Sequence, residues 1–174
     1  MAAQASERVL RIDPPRPIVP FVLVDHDGRA FRSEERLRDK VSLVYFGFAH
    51  CPDVCPATLL KLQQLVASDP SFGEVRVLMI SVDAERDTPA AMKAFLAPIS
   101  PRFLGLTGTP EQVGAAARAF SVAYLRQPVA TPEDPYLVDH SSQVYLVDRS
   151  GRLSELFFNA PDAGMREALR AALP

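Results

Sequence analysis

Val41-Ser42-Leu43-Val44-Tyr45-Phe46-Gly47-Phe48 runs almost directly into Cys51-Pro52-Asp53-Val54-Cys55-Pro56, and these two stretches decide the fold. The first is β-branched and aromatic with no break before Gly47, the pattern of a buried strand. Beyond Pro56, Leu59, Leu62 and Val66 recur at helical spacing. The only two cysteines of the chain therefore occupy a strand-to-helix turn. Pro56 suits the first helical position, where a missing N–H costs nothing, and this makes Cys55 the expected N-cap. Unpaired N–H groups and the positive end of the helix dipole favour a thiolate there. Two thiols in one short loop can close as a disulfide or hold a soft metal ion.

Working outward, 174 residues suit one domain with a sizeable core. The composition, 48% hydrophobic and 23% charged, is that of an ordinary globular protein. A net charge of −2 gives no case for nucleic acid, which would call for a basic face. No run approaches the ~18 apolar residues of a membrane span, and the first residues lack the apolar core of a signal peptide. The expectation is a cytoplasmic protein or one whose targeting segment lies upstream. Two cysteines confined to one motif point to redox or metal chemistry rather than to a disulfide scaffold.

Residues 1–17 read as an extended, proline-rich N-terminal arm, and 18–174 as the folded domain. Phe21-Val22-Leu23-Val24, the turn Asp25-His26-Asp27-Gly28 and Arg29-Ala30-Phe31-Arg32 predict a β-hairpin. The strand at 41–48, a helix from Pro56 to Ala67 and a strand at 75–82 form a βαβ unit with parallel strands. Thr88-Pro89 and Thr109-Pro110 open two further helices, the second with Gln112 completing a capping box. Short strands are expected at 103–106 and 122–125, and a proline-rich loop at 127–135. A strand from Ser142 to Asp148, an antiparallel return from Arg152 to Phe158 and a helix from Ala160 to Leu173 complete the chain. The order predicts an α/β fold: a mixed central sheet flanked by helices, with an extra N-terminal β-hairpin. A dithiol at the first strand-to-helix turn of such a sheet points to a thioredoxin-like fold.

Three histidines stand in different settings. His26 lies in a turn between two aspartates and reads as a solvated surface residue. His50 adjoins Cys51 and either lowers the thiol pKa or is a bystander. His140, in Val138-Asp139-His140-Ser141, precedes the strand expected beside the dithiol strand. It is the histidine best placed to face the cysteines, as a ligand or as a loop residue. Asp83, Glu85, Arg86 and Asp87 read as a solvated, self-pairing loop capping a helix, or else as a partner-facing rim. A thioredoxin-type oxidoreductase would have two residues between its cysteines; the three here leave a metal dithiolate open.

Phe46-Gly47-Phe48-Ala49-His50-Cys51-Pro52-Asp53-Val54-Cys55-Pro56 resembles the signature of the Sco/SenC family of copper proteins. Ile80-Ser81-Val82-Asp83-Ala84-Glu85-Arg86-Asp87-Thr88-Pro89, Leu106-Thr107-Gly108-Thr109 and Tyr136-Leu137-Val138-Asp139-His140-Ser141 agree with it in order and spacing. Ala49 and Ala84 depart from the family's usual Thr and Pro. The resemblance implies a thioredoxin-like fold binding one copper, Cu(I) or Cu(II), through Cys51, Cys55 and His140, with Cys51 and Cys55 also a redox-active pair. It implies delivery of copper to the dinuclear site of cytochrome c oxidase during its assembly. The alternative is a thiol–disulfide oxidoreductase that reduces the cysteines of that site. Implied partners are the oxidase subunit carrying the copper site, another copper chaperone and a thioredoxin-like reductase. The implied location is the periplasmic face of the inner membrane, or the mitochondrial intermembrane space, with a membrane tether on the full-length protein.

Overall fold

The structure is a computed structural model that describes residues 8–50, 54–128, 136–140, 143–158 and 162–174, with backbone alone at 8, 54, 126–128, 136–140 and 162. In chain order its elements are β1 (Arg8–Pro17), β2 (Val22–Asp25), β3 (Ala30–Arg32), α1 (Ser33–Arg36), β4 (Ser42–Gly47) and α2 (Val54–Ala67). Then come β5 (Arg76–Ser81), α3 (Pro89–Leu96), β6 (Leu104–Thr107), α4 (Pro110–Ala119), β7 (Tyr124–Pro128) and β8 (Tyr136–His140). β9 (Val144–Val147), β10 (Arg152–Phe158) and α5 (Asp162–Ala172) end the chain.

Eight strands form one sheet in the order β1-β10-β9-β4-β5-β6-β2-β3. β4 sits at its centre, parallel to β5 and antiparallel to β9. Every residue of β4 is buried, because helices cover both faces. Side chains alternate across a strand, so Val44 and Phe46 face one layer while Leu43, Tyr45 and Gly47 face the other. On the first face Phe46, Phe120 and Tyr145 pack edge to face, with ring centroids 5.4 to 5.9 Å apart. On the second face Tyr45 and Met79 lie against α2 with Cys55 and Leu59, all fully buried. This is the thioredoxin-like arrangement expected, with the strand at 144–147 beside the dithiol strand.

The hairpin of β2 and β3 is present and extends the sheet beyond β6. Asp25 shapes its turn by accepting backbone hydrogen bonds from Asp27 and Arg29, each 3.0 Å long. The capping box forms as expected: Thr109 accepts from the Gln112 backbone while Gln112 accepts from that of Thr109. Thr88 caps α3 by accepting from the Ala91 backbone.

Three expectations change, and two short elements are added. The stretch 8–17 is extended, as its prolines require, but it also pairs antiparallel with β10 as an edge strand. An edge tolerates Pro14, Pro15 and Pro17, and the register shifts between Arg11 and Arg16 to accommodate them. Helix α2 begins at Val54, so Cys55 lies inside its first turn rather than at the N-cap. The strand expected at 122–125 runs instead from Tyr124 to Pro128, paired with β8 in a separate two-stranded ribbon. The rest of the expected loop, 129–135, lies outside the described residues. Finally, Ser33–Arg36 is a short helix and Pro70–Glu74 a 3-10 turn, neither with an apolar period long enough to read.

Candidate functional site

Strand β4 delivers the cysteine loop and α2 receives it. Cys55 has no exposed surface. Its Sγ lies over Gly47, so close that a Cβ on that glycine would stand 2.9 Å from it. The same Cβ would meet Tyr45 Cε1 at 2.9 Å and Met79 Cε at 3.2 Å. Gly47 is thus the gap in the strand that admits the sulfur. The hydroxyl of Tyr45 donates a hydrogen bond to Cys55 Sγ at 3.6 Å. Cys51, expected to be the partner thiol, lies outside the described residues, with Pro52 and Asp53.

The loop leading to Cys51 is held from the other side by Asp87. The backbone N–H of Ala49 donates to Asp87 Oδ2 at 3.0 Å, and Ser81 Oγ donates to the same oxygen at 2.7 Å. Thr107 Oγ1 donates to the Asp87 backbone carbonyl at 2.6 Å, tying in β6. Burial pushes the Asp87 carboxyl above its ordinary value, against the pull of the bonds from Ser81 and Ala49. Asp83 is also buried and pairs with Arg86 Nε at 2.5 Å. The loop after β5 is therefore an internal polar anchor, and the expectation of a solvated loop is corrected for both aspartates. The reason is position: the loop is roofed by Ala49 above and β6 beside it, so its carboxylates cap donors rather than meet water.

His50 is half exposed, with Nδ1 at 3.9 Å from Asp87 Oδ1. One donor atom each from His50, Asp83 and Asp87 fall within 4.8 Å of one another. Arg86 already neutralises Asp83, and Asp87 Oδ2 is committed to Ala49 and Ser81, so this cluster reads as an anchor rather than an ion cage. His26 is not a surface residue: its side chain is 12% exposed and its Nδ1 accepts from the Gly105 backbone at 3.1 Å. The turn folds it back over β6. His140 is the last residue of β8, its backbone opposite Tyr124 of β7, and its side chain is not described. Tyr124 and Leu125 in turn line a cavity of about 170 Å³ with Val82, Asp83 and Val113. One strand of the ribbon that carries His140 thus lines the same cavity as the loop after β5.

Three site residues escaped the sequence. Gly47 read as a strand end and Tyr45 as core, since nothing in a run of apolar residues says which one meets a sulfur. Asp87 carried a signal in Asp87-Thr88-Pro89, but capping accounted for it.

A thioredoxin-like sheet with a cysteine pair at its central strand-to-helix turn defines a dithiol protein. The chain belongs to the SCO1/SenC family, which it matches over residues 12–172. It is 42% identical over 146 residues to the mitochondrial protein SCO2 homolog of Bos taurus, covering 82% of this chain and 54% of that one. The chain thus spans about half the length of that relative. Bradyrhizobium japonicum ScoI, solved with copper bound, is 33% identical with a TM-score of 0.80, covering 90% of this chain and 99% of that one. BsSco, described as a member of the Sco family of cytochrome c oxidase assembly proteins with a disulfide switch, is 26% identical with a TM-score of 0.71, covering 94% and 96% of the two chains.

Proposed function

We propose that this protein is a copper metallochaperone that carries one copper on Cys51, Cys55 and His140 and delivers it to the dinuclear copper site of cytochrome c oxidase during assembly. The observation that carries the reading is the seat of Cys55, a fully buried sulfur at the start of a helix, cupped by Gly47 and Tyr45. The donor chemistry fits copper: two thiolates suit Cu(I) and imidazole suits either oxidation state. Three protein ligands leave a coordination position open, which fits handing an ion on better than storing it. The copper-bound relative supports the cargo, and the assembly role of BsSco supports the destination. Such a role belongs outside the bacterial cytoplasm or in the mitochondrial intermembrane space, at a membrane surface. There the oxidase subunit bearing the copper site is the partner, with another copper chaperone or a thioredoxin-like reductase supplying copper or electrons.

A second reading is a thiol–disulfide reductase for the cysteines of the oxidase copper site, favoured by the disulfide switch of BsSco. His140→Ala separates the two. Disulfide formation between Cys51 and Cys55 needs no imidazole, so the variant should still oxidise reversibly while its Cu(II) affinity falls and its thiolate-to-copper absorption changes. Failed oxidase assembly in cells carrying it supports the chaperone; normal assembly hands the role to the reductase. Reduced wild-type protein should bind about one copper, and the disulfide form far less, because both soft ligands are gone.

A further inference from the structure

We propose that the Tyr45 hydroxyl is a positioning group for Cys55, holding that sulfur by a hydrogen bond that the reduced form keeps and the disulfide weakens. The inference deepens the dithiol reading above and rests on it. Tyr45 is fully buried in the central strand, in register with Met79 on one side and Val144 on the other. Both neighbours are buried, so the ring has no freedom to swing away. A phenol at such a depth requires a partner for its O–H, whereas phenylalanine would fill the same volume without that demand. Cys55 Sγ accepts from the Tyr45 O–H at 3.6 Å. Gly47 makes the approach feasible, since any larger residue would collide with both the sulfur and the tyrosine ring.

An O–H donor is worth more to the sulfur of a reduced or metal-ligating cysteine than to a disulfide sulfur, because the bond strengthens with electron density on the acceptor. The hydroxyl therefore favours the reduced and metal-ligating form of Cys55 over the oxidised one.

Tyr45→Phe tests this at fixed pH by equilibration with glutathione disulfide. One protein dithiol and one glutathione disulfide give one protein disulfide and two glutathione thiols. One S–S bond breaks as another forms, and two electrons with two protons pass to glutathione. Without the hydroxyl the equilibrium should move roughly tenfold toward the protein disulfide, a reduction potential about 30 mV more negative. Tyr145→Phe is the control: its hydroxyl lies 3.4 Å from Gln143 Oε1 on the opposite face of the sheet, and its loss should leave the potential alone. A folded Tyr45→Phe protein with the wild-type potential overturns the proposal. Should that variant not fold, 3-fluorotyrosine at position 45, a stronger donor of nearly the same shape, should move the equilibrium toward the dithiol; no movement overturns the proposal equally. The measurement needs no copper. A wild-type protein that fails to bind copper would sink the chaperone reading while leaving this comparison decisive.

Discussion

The two ends of the cysteine loop are held by walls of opposite character. On the α2 side Cys55 sits in a cup of Tyr45, Gly47 and Met79, where shape sets the position of the sulfur and the Tyr45 hydroxyl donates to it. On the β5 side Asp87 gathers the Ala49 N–H and the Ser81 hydroxyl on one buried oxygen, where hydrogen bonds set the position of the backbone. A packed wall tolerates almost no change of volume. A hydrogen-bonded wall tolerates isosteric change but responds to protons. One loop thus draws its precision from two sources that fail under different conditions.

The apolar wall should break hardest. Gly47→Ala places a methyl group 2.9 Å from both Cys55 Sγ and Tyr45 Cε1 in a fully buried site. The expected cost is about 3 kcal/mol, the upper part of the range for overpacked cores, read as a lower urea midpoint at unchanged slope. The same variant should shift the dithiol potential, because the sulfur must move. An unchanged midpoint would mean that α2 can slide outward, and that shape does not set the site.

The polar wall should fail next. Asp87→Ala leaves the Ser81 hydroxyl and the Ala49 N–H without their acceptor, at a cost of about 2 kcal/mol in chemical unfolding. Asp87→Asn keeps the shape and one acceptor oxygen, so it should cost much less than Asp87→Ala at neutral pH. If the two variants are equally unstable, the charge of Asp87 matters more than its geometry.

Acid sharpens the contrast. Burial raises the folded-state pKa of Asp87 above 3.8, so between that value and the raised one the folded protein holds more protons than the unfolded chain. The stability this residue contributes is therefore greatest below that window and falls as pH rises through it. The stability of wild type relative to Asp87→Asn should grow as the protein is acidified through the window, measured by urea unfolding at a series of pH values. A difference independent of pH would contradict the buried setting of the carboxyl.

The smallest effect belongs to Thr88→Ala. It removes the side-chain cap of α3, worth about 1 kcal/mol, and should leave the dithiol potential untouched, since the cap serves α3 rather than the sulfur.

The central architecture was legible because its signals are local and periodic. Val41 to Phe48, the helix beyond Pro56 and the strand at 75–82 each carry a clear pattern, and their short connections force the parallel pairing. The caps at Thr88 and Thr109 were legible for the same reason. What escaped the sequence depends on contacts between distant segments. Nothing near Asp87 announces that Ala49 will donate to it, and nothing near His26 announces Gly105. The strand at Arg8–Pro17 was hidden by its prolines, which forbid a central strand but not an edge. Cys55 was correctly placed at a helix start, yet its seat could not be read, because Gly47 gives no sign of which sulfur fills its gap.

The pairing of β1 with β10 has a consequence in time. Arg8 faces Phe158, so β1 must wait for β10, about 150 residues later in the sequence, before it can pair. Closing so long a loop is slow, whereas β4, α2 and β5 are close neighbours in sequence and can assemble early. The dithiol seat can therefore mature while the chain is still incomplete. This edge of the sheet therefore closes later than its centre.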